Sequence, residues 1–191
     1  APDATFRYVF LGTGQYDQTV TTLPYTLVDQ QLVVTLRNGF VPQVGDTFDI
    51  LTAPTITGQY AAFYGTIMPN GVVLDVQTLP DRIRLVATKG LFPTSTLDTV
   101  DATPGDGTCA DSAGECTLRA AVMEANALPG RQSIVLSSGA TYALTRRLDD
   151  GGIDEIVVVG TAGSVDASVT GVHEVAAAVQ HQFLPVGARA F

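Results

Sequence analysis

Cys109-Ala-Asp-Ser-Ala-Gly-Glu-Cys116-Thr-Leu-Arg-Ala-Ala-Val-Met-Glu-Ala-Asn-Ala-Leu-Pro-Gly130 is the stretch on which the reading of this chain turns. It holds both cysteines and the one clear amphipathic helix signal. Leu118, Ala121, Val122 and Ala125 recur at i, i+3, i+4 and i+7, which makes one narrow apolar stripe. Thr117 is the N-cap that this pattern calls for, although Ala120 stands where a capping box would place Glu. Pro129-Gly130 stops the helix. No helical period precedes residue 115, so the sequence before it is read as β structure.

Cys109 and Cys116 bracket a short loop of Asp, Ser, Gly and Glu, which suits a local disulfide. Two buried free thiols are the plain alternative. Acidic surroundings do not activate a thiolate, and no second pair exists to complete a zinc site. Closing so short a loop stabilises by about 2–3 kcal/mol on the chain-entropy model. A disulfide implies an oxidising compartment, hence a secreted or cell-surface protein.

Upstream, short alternating strands are separated by turn signals. Phe6–Leu11 and Thr19–Leu23 are irregular candidates. In Gln31–Arg37, Leu32, Val34 and Leu36 share one face, and Asn38-Gly39 follows as a pair that tolerates the positive φ of a hairpin turn. Val44-Gly45-Asp46 turns into Thr47–Leu51, a further candidate runs around Gln59 to Ile67, and Pro69-Asn70-Gly71 turns into Val72–Val76. Arg82–Ala87 closes the series with Ile83 and Leu85 inward and both Arg outward. Lys89–Thr96 breaks the composition. The expected organisation is an antiparallel β-sandwich or β-roll over residues 1–90 and a linker over 91–108. A disulfide loop, cap helix and β-helix-like strands then occupy 109–191, ending in an Ala/Val/Gln-rich tail with a short helical signal at Glu174–Gln182.

Composition narrows the class. Apolar residues make up 46% and charged residues only 15%, which suits a mainly β chain. A formal charge of −9 argues against a nucleic-acid or anionic-membrane partner. No apolar run approaches the roughly 18–20 residues of a membrane helix, so no membrane insertion is expected. Ala1-Pro2-Asp3 carries neither initiator Met nor a signal-like run, as a mature product or an excised fragment would.

Two stretches resemble known bacterial families. Gly14-Gln15-Tyr16-Asp17-Gln18, Leu32–Leu51 with its Asn38-Gly39-Phe40 and Gly45-Asp46-Thr47-Phe48 runs, and Ile56-Thr57-Gly58-Gln59-Tyr60 are similar to a bacterial surface module. That module closes the β-helical passenger regions of autotransporter-like and adhesin-like proteins. The likeness spans residues 12–88, departs at Thr21-Thr22-Leu23-Pro24, and implies a structural module without catalytic residues. Asp106-Gly107-Thr108-Cys109, Cys116–Val122, Glu124–Ala127, Pro129-Gly130 and Ile134-Val135-Leu136 resemble the CSLREA-type N-terminal domain. That domain precedes a right-handed parallel β-helix, and the likeness covers residues 97–148. Ala120 replaces the family's Glu, so any ion pair or cap from that Glu is missing here.

Chemistry is harder to find. Asp98, Asp101, Asp106, Asp111 and Glu115 supply the hard oxygen ligands that Ca²⁺ takes, but their spacing fits no EF-hand loop, and a solvated acidic turn region is the plainer reading. Asp149, Asp150, Asp154 and Glu155 form a weaker cluster of the same kind. His173 and His181 are the only histidines; eight positions apart, they fall about 80° apart on a helix and match no metalloprotease pair. No Gly-x-Ser-x-Gly elbow occurs, and Ser164, Asp166 and either His offer a triad only if folding assembles one. Carboxylate pairs for glycoside cleavage are present, but no Trp stacks sugars, and six Tyr and eight Phe would have to substitute. Gly12-Thr13-Gly14 is not followed by a helix, which removes a phosphate loop. The leading expectation is a structural or adhesive module that self-associates and meets a glycan or surface ligand. A small secreted hydrolase, Ca²⁺-dependent or not, and a non-catalytic carbohydrate-binding module are the alternatives.

Overall fold

The computed structural model describes residues 4–137, 139–143 and 164–166. The chain divides into two compact units, Ala1–Lys89 and Gly90–Phe191. It is mainly β, as its composition requires, with mixed sheets around shared cores and one helix among the described residues.

In the first unit the chain winds in successive turns. β1 (Thr5–Gly12), the short β2 (Gln15–Tyr16), β3 (Thr19–Val20) and β4 (Tyr25–Leu27) make the first turn. β5 (Gln31–Leu36), β6 (Thr47–Thr52) and β7 (Ile56–Gly58) make the second, and β8 (Ala62–Tyr64) begins a third. Each turn lies parallel on the one before. Thr5 pairs with Gln31 and Gln31 with Ala62; Thr19 pairs with Leu51; Tyr25 pairs with Ile56. The hydroxyls of Thr26 and Thr57, 31 positions apart, meet at 3.0 Å across one such step. β9 (Val72–Thr78) and β10 (Arg82–Leu91) then pair antiparallel, and β10 lies antiparallel to β6.

Parallel pairing within the mixed sheets departs from the antiparallel sheets expected. Asn38-Gly39 does form its turn, with φ of 54° and 72° and the Phe40 N–H donating to the Arg37 carbonyl. It makes no hairpin, because β1 and β8 occupy both edges of β5. The turn instead sends the chain to another sheet, where β6 pairs with β3 and β10. Pro69-Asn70-Gly71 does close an antiparallel return, with Ile67 bridged to Val73.

Inward alternation supplies the core. Tyr8 and Phe10, Leu32 and Val34, Phe48 and Ile50, Leu74 and Val76, and Ile83 and Leu85 are buried together. Each such side chain contributes about 1.5–3 kcal/mol. A one-residue slip in β10 would exchange Ile83 and Leu85 for Arg82 and Arg84, which fixes the register. β2 folds back so that Tyr16 stacks on Phe10 at 5.4 Å and 5°, while Phe48 meets Phe10 edge-on at 5.0 Å. Turns approach closely at two glycines. A Cβ on Gly58 would lie 2.1 Å from the Leu27 carbonyl oxygen, and one on Gly65 would lie 2.3 Å from that of Val34.

The second unit packs α1 (Leu118–Ala127) against β11 (Gln132–Ile134). Leu91, Leu118, Val122, Ile134, Leu136 and Tyr142 form its core. The expected cap holds: the Thr117 hydroxyl accepts from the Ala120 N–H at 3.0 Å and donates to the Thr99 carbonyl at 2.6 Å. Ala120, where the resembled family has Glu, is fully buried. Residues 91–108, expected as a linker, are built into this unit. Leu91 belongs to the core, Thr94 and Ser95 donate to the Cys116 carbonyl, and the Tyr142 hydroxyl donates to Pro93. Turn-rich composition misled there, because the segment's order comes from contacts with residues after it in sequence. Finally, β12 (Thr141–Ala143) pairs parallel with β13 (Ser164–Asp166).

Candidate functional site

The acidic loops around the helix N-terminus hold Asp98, Asp101, Asp106, Asp111 and Glu115, the first cluster of carboxylates singled out above. Cys109 and Cys116 are joined as a disulfide, with Cα atoms 5.1 Å apart. Within the loop it closes, the Asp111 Oδ1 accepts from the Ala113 and Glu115 N–H groups at 2.8 and 2.9 Å, and its Oδ2 accepts from the Thr99 hydroxyl at 2.6 Å. The Thr99 hydroxyl, then the Glu115 N–H, hold the Asp111 carboxyl below the usual carboxylate range, because each bonds the ionised form. Asp101, also buried, accepts from the Thr103 and Ala110 N–H groups. Asp106 accepts from the Thr108 N–H at 2.7 Å and the Thr103 hydroxyl at 2.6 Å. Glu115 is exposed.

Asp98 stands apart from these turns. Its carboxylate takes the Arg119 Nε and Nη2 at 2.6 and 3.1 Å, with both side chains about one-twentieth exposed. Desolvation offsets much of the attraction in such a pair, so it fixes geometry more than it adds stability. Sequence reasoning missed both Arg119 and the side chain that organises the loop, Glu124. This carboxylate is fully buried and accepts from the Gly105 and Gly107 N–H groups, each at 2.5 Å. A signal existed: Glu124 follows Ala121 by one helical step and so borders the apolar stripe, facing a Gly-Asp-Gly loop that offers bare N–H groups.

The five candidate Ca²⁺ ligands are therefore neighbours in sequence that serve different local ends. Asp101, Asp106 and Asp111 accept from backbone and hydroxyl donors, Asp98 takes a guanidinium, and Glu115 faces solvent. Among the described residues no group of three or more His, Cys, Asp or Glu side chains converges in a metal-holding arrangement. His173 and His181 lie outside the described residues, as do Asp149, Asp150, Asp154 and Glu155. Ser164 and Asp166 share β13, two positions apart on one strand, and only their backbone is described.

Elsewhere, the charged groups on the β6–β10 face neutralise one another. Asp49 receives Arg84 at 2.6 and 2.9 Å and Arg82 at 3.2 Å, and Arg82 also reaches Asp81. The Arg84 hydrogen bond is the main cause holding the Asp49 carboxyl below its ordinary range. Burial pushes the Tyr60 phenol up, and its hydroxyl has no hydrogen-bond partner among the described residues. No helix among the described residues is long and apolar enough to cross a membrane. Compared with protein families, curated proteins and solved structures, the chain finds no match.

Proposed function

We propose that this chain is a structural or adhesive module of a secreted or cell-surface bacterial protein. The observation that carries the reading is the turn-by-turn parallel register: β1 onto β5 onto β8, β3 onto β6, β4 onto β7, and β12 onto β13 in the second unit. Stacking of this kind builds extended faces from turns that each contact their neighbours. It accords with the resemblance of residues 12–88 to a module closing β-helical passengers and of residues 97–148 to a CSLREA-type domain. The disulfide favours an oxidising compartment. Asp101, Asp106 and Asp111 use their carboxylates on local backbone and hydroxyl donors and Asp98 on Arg119, which favours support over catalysis.

A panel of chromogenic esters and glycosides, run with and without EDTA, tests this reading. It expects no turnover. Turnover lost in His173→Ala or His181→Ala would establish the hydrolase alternative. Brief trypsin treatment of intact source cells, with the culture medium collected alongside, tests the location. Recovery of the protein only after lysis would remove it from the cell exterior.

A further inference from the structure

We propose that the outward face of the β1–β5–β8 sheet is a docking platform for an anionic polysaccharide. This names a partner for the adhesive reading and rests on it. The register fixes which residues share the face. Phe6, Leu32 and Phe63 are matched across the three strands and pack with the core, so the adjacent matched row, Arg7, Val33 and Tyr64, points outward. Val9 and Thr35 form the next outward row, and Arg37 extends the same side of β5, its N–H bound to the Phe10 carbonyl.

Charge selects the occupant. The whole chain carries −9, yet both charged residues in these rows are arginines, and both are exposed. On the β6–β10 face the arginines are matched by Asp49 and Asp81. Arg7 instead donates to the neutral Thr35 hydroxyl at 3.3 Å, and among the described residues no carboxylate lies within salt-bridge distance of Arg7 or Arg37. Strand rise and spacing put the Cα atoms of the two arginines about 14 Å apart along the sheet. A linear polymer of acidic sugars carries a carboxylate on every ring, so one chain laid along the strands meets both guanidinium groups, which bind carboxylates bidentately.

Shape favours sugar over peptide. Val9, Val33 and Thr35 are short and leave a shallow floor, beside which Tyr64 is 48% exposed. The C–H face of a pyranose ring packs on such an aromatic surface. An acidic peptide would gain most from main-chain pairing at a strand edge, and a sheet face offers none.

Affinity electrophoresis of the full chain in gels containing polygalacturonate, dextran or poly-glutamate decides the matter, with titration calorimetry for affinities. Polygalacturonate should retard the protein, dextran should not, and added salt should weaken the retardation. Arg7→Gln and Arg37→Gln should each weaken binding roughly tenfold, the scale of one charge-assisted hydrogen bond, and Tyr64→Ala should also weaken it. No retardation by polygalacturonate, or unchanged retardation of the folded double Arg variant, would overturn the platform. Equal retention by poly-glutamate would overturn the saccharide and assign the face to an acidic peptide. Should a variant misfold, the wild-type comparison of the three polymers still decides. Failure here leaves the turnover and cell-exterior tests of the module reading untouched.

Discussion

Burying a carboxylate is costly unless hydrogen bonds replace its water, and Glu124 obtains them from Gly105 and Gly107. The near-isosteric Glu124→Gln tests this more sharply than truncation. An amide has a single acceptor oxygen, so its NH2 would face one of the two N–H donors. The substitution should destabilise by about 1–3 kcal/mol, the cost of an unsatisfied buried group, read as a lower urea midpoint at unchanged slope. A variant as stable as the wild type would mean that the loop does not depend on both bonds. Asp111 makes a prediction in pH. Its folded-state value is lowered, so folding favours the ionised form, and the stabilisation is complete above the unfolded value of about 3.9. That stabilisation disappears as pH falls below this value through the folded one. Asp111→Asn should therefore melt below the wild type at pH 6, with a gap that narrows below about pH 4. A gap constant down to pH 2 would exclude the ionised carboxylate as its source. Most of the acids were visible as a cluster in the sequence. Their use was not, because an Asp that bonds the N–H two positions on and an Asp that binds Ca²⁺ read alike until the loop's path is known.

At the level of elements, the parallel turns depend on close approach of one backbone to the next. Gly58 combines a φ of 76° with a Cβ position 2.1 Å from the Leu27 carbonyl oxygen. Gly39 has nearly the same φ, 72°, and nothing within 4 Å. Comparing alanine at the two positions separates backbone strain from steric exclusion. Gly39→Ala should cost about 1 kcal/mol, the ordinary penalty for a left-handed residue, whereas Gly58→Ala should cost well over 2 kcal/mol, because the β4–β7 contact must also part. Equal losses in chemical denaturation would argue against tight stacking at that corner. Strand positions and inward faces were legible upstream, since period-two alternation at Leu32–Leu36 and Ile83–Leu85 needs only local sequence. Pairing partners were not. Asn38-Gly39 has the conformation of a hairpin turn, but β1 and β8 hold both edges of β5, so the chain continues to another sheet. The cap at Thr117 was legible because its partner, the Ala120 N–H, is three residues away. The place of residues 91–108 in the second unit was not, because their partners Cys116, Thr117 and Arg119 come later in the chain.

For the molecule as a whole, the question is whether the winding turns leave a surface that draws copies together. β2 covers the far end of the outer edge of β1, bonded from Val9 to Gly12. Beyond it, β3 and β4 pair on one side with β6 and β7, and among the described residues no strand pairs on the other. Val20, Leu23 and Val28 lie along this side, 74%, 69% and 56% exposed. Two effects oppose association here. Strands of two and three residues offer few hydrogen bonds, and a charge of −9 repels a second copy. The apolar side chains act the other way, at about 25 cal/mol per Å² of surface covered. If the apolar edge outweighs the repulsion, the expected outcome is weak association that strengthens with concentration and with salt, because salt screens the repulsion but leaves apolar burial intact. Light scattering across a concentration series at low and high ionic strength should show the mean mass rising only toward the concentrated, high-salt end. Val20→Lys should flatten that rise by placing a charge on the edge. Monodisperse monomer under every condition would remove self-association. A mass that rises most at low salt would instead assign it to charge complementarity elsewhere on the surface.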